Sequence, residues 1–165
     1  MTRKSSQRGF TLIELLVVIA IIGILSATVL ATLSVARNKA KVAKAQLELK
    51  AIQNAFHMFQ TDTDEWPGHH DIDEIETAGS NEIWDMTAAS VGLIATDSTY
   101  AGWTGPYIQS INNDPWGNPY FFDTDYDIDP TAGVQQAAVI GSFGPNGAGQ
   151  NVYDSDNVII KLITE

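Results

Sequence analysis

An apolar run that does not stop constrains this chain of 165 residues more than any other feature. Residues 10 to 31, FTLIELLVVIAIIGILSATVLA, contain no Lys or Arg and a single carboxylate, Glu14. These 22 residues would rise roughly 33 Å as an α-helix, enough to cross a hydrocarbon layer of about 30 Å. Arg3, Lys4 and Arg8 precede the run, which predicts an N-terminus on the cytoplasmic side. The competing reading is a secretory signal, whose apolar core is about 7–15 residues long and ends at a small-residue cleavage site. This run is longer, no A-x-A site follows at the usual distance, and it passes straight into helical sequence.

That continuation has a different pattern. Val42, Ala45, Leu49, Ile52, Phe56 and Phe59 recur at intervals of three and four, the signature of one apolar helical face. Together the two segments predict one helix from residue 10 to about 61, roughly 75–80 Å long. Its front half is apolar on all sides and needs lipid or other helices. Its back half needs a folded body. Trp66-Pro67-Gly68 marks the exit. Asn112 to Pro119 is dense in turn-forming residues. Tyr120–Phe122, Ala137–Ile140 and Val158–Ile163 read as strands, so an antiparallel sheet closing on the stripe is expected. A further helix is expected within Asn81 to Ile94, with Ile83, Trp84, Met86, Val91 and Leu93 as its contacts. The fold class is therefore α+β: a long N-terminal helix packed on a small antiparallel head.

Charge sorts along the chain. From residue 51 onward there are 18 acidic residues and one basic residue, Lys161. Such a body is a poor partner for nucleic acid, which requires a basic footprint, and a good one for cations. The absence of cysteine excludes disulfides, thiol catalysis and Cys-ligated zinc. No nucleophile elbow, P-loop or dinucleotide fingerprint is present, and no enzymatic activity is expected.

Gly9-Phe10-Thr11-Leu12-Ile13-Glu14 behind a short basic leader resembles the processing signal of type IV pilins and pseudopilins. Asp114-Pro115-Trp116-Gly117-Asn118-Pro119-Tyr120 is similar to the DPWGNPY element of type II secretion major pseudopilins. Ser142-Phe143-Gly144-Pro145-Asn146-Gly147, followed by Asp154 and Asp156, looks like that family's calcium loop. The resemblance implies the pilin fold and three segments: a cleaved leader, 1–9; a transmembrane and filament-core helix, 10–36; and a soluble head, 37–165. It implies cleavage by prepilin peptidase between Gly9 and Phe10, with Phe10 as an N-methylated mature terminus. Three departures stand out. Ala31 occupies the place where the family usually has a helix-kinking Pro, Pro145 and Asn146 stand in the calcium loop where the family more often has an acid nearby, and the insertion from Asp123 to Pro130 is longer than expected.

Each motif was weighed against a plainer role. Glu14 is either a tolerated acid near the membrane edge or an assembly residue. In the second reading it pairs with the Phe10 ammonium of a neighbouring subunit, since a carboxylate in apolar surroundings needs a partner. Around the Gly-rich loop, Asn146, Asp154 and Asp156 offer hard oxygens, with the Phe143 and Ala148 carbonyls as further ligands for calcium. DTDYDID, residues 123 to 129, starts like an EF-hand, but Ile128 and Val134 stand where Gly and Glu belong; it is a second, weaker cation candidate. Trp116 and Tyr120 read as core anchors. His57, His69 and His70 lack the spacing of a zinc triad.

The resemblance thus implies a structural subunit of a type II secretion pseudopilus that polymerises with itself through its N-terminal helix. Implied partners are the prepilin peptidase, the inner-membrane assembly platform with its ATPase, minor pseudopilins and membrane lipid. The implied location is the inner membrane, single-pass with the head outside, and then a periplasmic or cell-surface filament. A type IV pilin for adhesion, twitching or DNA uptake, and a membrane-anchored calcium module that never polymerises, are the alternative readings.

Overall fold

The computed structural model describes residues 9–72, 74–77 and 81–164, with residues 31 and 164 described by backbone only. The basic leader positions Arg3, Lys4 and Arg8 lie outside the described residues. One helix, α1 (Leu12–Thr63), runs for 52 residues as expected and passes through Ala31 without interruption. The chain divides into two compact units, residues 1–40 and 41–165, which are described separately.

In the first unit the helix has no covering of its own. Leu15, Leu16, Val17, Val18, Ile19, Ile21, Ile22, Ile24, Leu25, Val29 and Leu30 are all exposed. It is the one helix among the described residues long and apolar enough to cross a membrane. Two of its hydroxyls are satisfied within the helix. Thr28 Oγ1 donates to the Leu25 carbonyl at 2.9 Å, and Thr32 Oγ1 donates to that of Val29 at 3.0 Å. Back-bonding of this kind leaves no polar group seeking water.

In the second unit the stripe does what its period predicts. Ala45, Leu49, Ile52, Ala55, Phe56 and Phe59 are buried, and Val42 packs at the margin. Each buried Leu, Ile or Phe contributes about 1.5–3 kcal/mol, so this face supplies much of the stability of the head. It meets a three-stranded antiparallel sheet of order β1-β2-β3. The strands are β1 (Tyr120–Asp127), β2 (Gln136–Ser142) and β3 (Val158–Thr164). Tyr120, Phe122, Ala138, Ile140 and Val158 share the helix-side core with Trp66, Met86, Val91, Leu93 and Tyr100. Phe56 and Phe122 meet edge to face at 5.1 Å.

Two findings differ from expectation. There is no helix over Asn81 to Ile94; only a 3-10 turn forms, Ala89–Val91. The Asp85 carboxylate accepts from the Thr87 N–H at 2.9 Å, a local bond that competes with helical pairing. Ile83 instead exchanges both backbone hydrogen bonds with Phe122, at 2.7 and 3.0 Å. Its expected contacts also split: Met86, Val91 and Leu93 enter the helix-side core, whereas Trp84 faces the opposite side of the sheet.

That opposite side is the second finding. Phe121, Tyr126, Ala137, Val139 and Phe143 form a separate buried cluster, with Trp84, Ile128, Tyr153 and Ile159 packed against it. The sheet is therefore buried on both faces. Phe121 and Phe143 stack at 4.4 Å with 16° between their planes. A Cβ at Gly141 would lie 2.5 Å from the Phe121 ring, so the ring occupies the space glycine leaves.

Candidate functional site: the helix start and the turn–loop cluster

Gly9 has nothing within 4 Å of an added Cβ, and the Phe10 side chain is 85% exposed. The expected processing pair is thus sterically open. Glu14, by contrast, already has a partner. Its carboxylate Oε2 accepts from the Thr11 N–H at 2.8 Å and from the Thr11 hydroxyl at 2.7 Å, while the Glu14 N–H donates back to Thr11 Oγ1 at 3.3 Å. This is a capping box, T-x-x-E, closing the first turn of α1. The sequence carries this signal as Thr11-Leu12-Ile13-Glu14.

In the head, the turn from Asp114 to Asn118 organises the residues around it. Asp114 is buried; its Oδ1 accepts from the N–H groups of Trp116 and Asn118 at 2.9 and 2.8 Å. Its Oδ2 accepts from the Ser142 hydroxyl at 2.5 Å, and Ser142 Oγ in turn accepts from the Gly144 N–H at 3.1 Å. Asn118 Nδ2 donates to the Gly144 carbonyl at 2.8 Å. Gly117 has φ of 101°, a backbone conformation that glycine adopts without strain. One turn thereby anchors the start of β1, the end of β2 and the loop that follows. Tyr120 is buried and its hydroxyl donates to Glu48 at 2.6 Å, whereas Trp116 is half-buried beneath the Lys41 ammonium at 5.9 Å.

The loop after β2 brings three of the proposed calcium ligands together. Asn146 Nδ2 donates to Asp154 Oδ2 at 3.0 Å, and the Asn146 N–H donates to Asp156 Oδ2 at 3.3 Å. The Asn146 amide holds the Asp154 carboxyl below its ordinary value. Asp156 Oδ1 is buried with no hydrogen-bond partner. The Ala148 carbonyl accepts from Asn157 Nδ2 at 3.0 Å, and the Phe143 ring stacks in the second cluster, which leaves its carbonyl unaddressed. A Cβ at Gly144 would meet the Asp156 carbonyl at 2.2 Å, so this close approach requires glycine.

The acidic run from Asp123 is not a loop: Asp123 to Asp127 lie in β1. The three histidines do not converge. His57 is exposed on α1; His69 Nδ1 lies 2.9 Å from Glu65, and His70 Nδ1 lies 2.8 Å from Glu76. Among the described residues, no group of three or more His, Asp or Glu side chains is arranged to hold a metal.

Residues 4–30 match the prokaryotic N-terminal methylation motif, and residues 36–135, more than half of the chain, match the family described as PilW, C-terminal. Type II secretion system core protein G of Aeromonas hydrophila is 35% identical over 72% of this chain and 73% of its own length. The protein of the same name from Escherichia coli K12 is 31% identical over 89% and 88%, and that of Pseudomonas aeruginosa 30% over 94% and 97%. A crystal structure of the major pseudopilin from the type 2 secretion system of enterohaemorrhagic Escherichia coli aligns with a TM-score of 0.48 at 20% identity, covering 77% of this chain and 91% of that one. With an N-terminal methylation motif, a PilW-type region over most of the head and relatives at least 30% identical aligned over 73–97% of their own length, this chain belongs to the type II secretion system core protein G family.

Proposed function

We propose that the chain is the repeating structural subunit of a type II secretion pseudopilus, with an architectural role and no catalytic one. The observation that carries this is the front of α1, an apolar surface exposed among the described residues and headed by the methylation motif. Lipid satisfies that surface before assembly; the same segment of neighbouring subunits satisfies it afterwards. Prepilin peptidase would cut after Gly9. The inner-membrane platform and its ATPase would then add subunits beneath a tip of minor pseudopilins, with the heads outside.

Glu14 then has two tasks. Its bonds to Thr11 cap the first turn of α1. A carboxylate enclosed by lipid or by other helices still carries a desolvation cost. Capping does not offset that cost, so the Phe10 ammonium of a neighbouring subunit is the partner that would do so during assembly. Asp154, Asp156 and Asn146 would hold calcium, whose preference for hard oxygens suits the orphaned Asp156 Oδ1. Bound there, the ion would fasten the loop between β2 and β3, a task that disulfides perform in other exported proteins.

Mass spectrometry and negative-stain imaging of membrane and sheared fractions test the reading together. A mass beginning at methylated Phe10 and filaments that include the chain are expected. An intact leader, or a processed chain that stays monomeric when the whole secretion machinery is present, would overturn it.

A further inference from the structure

The cations of α1 differ in what holds them. In the second unit, Lys41 lies 5.9 Å over the Trp116 ring, Lys44 lies 3.6 Å from Glu48, and Lys50 donates to Gln53 at 2.7 Å. Arg37 and Lys39 belong to the end of the first unit, and both are exposed. Among the described residues, neither makes an ion pair, a side-chain hydrogen bond or a ring contact. Their own stretch of helix offers no counter-charge, because no Asp or Glu stands between Glu14 and Glu48. They are also the first cations after the apolar run, since residues 10–36 hold no Lys or Arg. At 1.5 Å per residue, Arg37 lies roughly 40 Å along the helix axis from Phe10. A bilayer with its headgroups is about 40–45 Å thick, so a helix that enters at Phe10 delivers Arg37 and Lys39 to the headgroups of the far leaflet. Helical side chains lean toward the N-terminus, which here is back toward the lipid.

We propose that Arg37 and Lys39 bind the phosphates of anionic phospholipid headgroups on the side away from the cytoplasm, and so fix the depth at which the subunit waits for assembly. The inference rests on the membrane-spanning role given to α1 above. Three features favour lipid over a protein neighbour. Residues two apart lie about 200° apart around a helix, so Arg37 and Lys39 point to opposite sides. A docked neighbour covers one side, whereas a headgroup layer surrounds the helix. Arg forks onto phosphate oxygens and Lys meets them as a point charge, so one ligand chemistry serves both residues. Finally, cations on the far side run against the usual preference for positive charge in the cytoplasm. In the unprocessed chain Arg3, Lys4 and Arg8 outweigh them; once the leader is gone, only the terminal ammonium remains ahead of the span. Headgroups bound at Arg37 and Lys39 then hold the helix at its depth without the leader.

The chain contains no cysteine, so Ala36→Cys accepts a single fluorescent donor. The full-length labelled chain is reconstituted in vesicles of phosphatidylcholine and phosphatidylglycerol, with a trace of either lipid carrying an acceptor on its acyl chain. At low salt, energy transfer is expected to show phosphatidylglycerol enriched about fivefold over phosphatidylcholine beside the donor, the strength of one cation at an anionic surface. The enrichment should shrink in high salt and vanish in Arg37→Gln with Lys39→Gln. Both substitutions place a good helix former at an exposed position, and the leader cations are common to both chains. Equal transfer to the two lipids, or an enrichment that the double variant retains, overturns the proposal. So does salt-sensitive transfer between donor- and acceptor-labelled chains that needs the two cations, in vesicles showing no lipid enrichment; it gives Arg37 and Lys39 to the acids of a second copy. Alkaline carbonate separates the two failures. A chain that it strips from vesicles does not span and overturns both readings, whereas an inserted chain without enrichment overturns this one alone.

Discussion

The Ser142 hydroxyl donates to Asp114 at 2.5 Å, and both residues are buried. This contact ties the turn before β1 to the last residue of β2, immediately ahead of the Gly144 loop. Replacing Asp114 strands the hydroxyl and two backbone N–H groups, at about 1–3 kcal/mol for each group left without a partner in the interior. Asp114→Ala is expected to lower head stability by about 3 kcal/mol, and Ser142→Ala by about 1 kcal/mol. Near-ultraviolet dichroism during denaturant titration reports the head apart from the micelle-bound helix. The double variant should cost no more than Asp114→Ala, and full additivity would show that the two do not share one interaction.

The second buried layer rests on the space at Gly141. Gly141→Ala places a methyl group 2.5 Å from the Phe121 ring and forces that ring off its stack with Phe143. A loss of about 1–3 kcal/mol is expected, the usual cost of overfilling a packed core. An unchanged denaturation midpoint would mean that the outer layer is loosely packed.

Capping and charge at Glu14 separate by substitution. Glu14→Gln retains the bond from the residue 11 N–H and loses the charge; Thr11→Ala keeps the charge and that N–H bond but loses both bonds made by the Thr11 hydroxyl. Leader removal is expected in both. Filament yield should collapse in Glu14→Gln, and persist in Thr11→Ala with a first turn weaker by about 1 kcal/mol. The opposite ranking of filament yields would assign Glu14 a purely local role.

A pH dependence follows from Glu76, which accepts from His70 Nδ1 at 2.8 Å and from the Asp71 N–H at 3.0 Å. Burial raises its carboxyl, but the His70 bond and the Asp71 N–H outweigh this, and the net displacement is below the ordinary value of 4.5. A lowered folded-state value means stability that is present above 4.5 and disappears as pH falls through the folded value. Glu76→Gln should therefore be less stable than wild type at neutral pH and converge with it in acid. A gap that is constant with pH, measured by thermal unfolding in matched buffers, would exclude the ionised pair.

What the sequence disclosed depended on how local the governing interaction is. The stripe from Val42 to Phe59 was legible because helical period and side-chain size agree over five turns. The middle of each strand was legible for its β-branched and aromatic content. The extension of β1 through Asp123–Asp127 was not, because ladder bonds to β2 hold acidic residues that composition assigns to a turn. The second layer left a trace that went unused: Tyr120–Phe122 and Ala137–Ile140 are continuous rather than alternating runs, which signals burial on both faces. The segment from 81 to 94 misled because Trp84 and Met86 belong to different clusters. Among the candidate calcium ligands, Asn146 is hydrogen-bonded to Asp154 and Asp156, while the Ala148 carbonyl is held by Asn157, a residue the motif does not mark.

Thr28 and Thr32 give their hydroxyl protons to carbonyls of the preceding turn. Hydroxyls matched within the helix give these two positions no solvent-dependent preference between two oily surroundings. Transfer from bilayer to fibre exchanges one set of van der Waals neighbours for another and breaks no hydrogen bond along this stretch. The direction of travel, and its reversibility, are then set at the two ends: by the charge at Glu14 and by the head that cannot follow the helix into lipid.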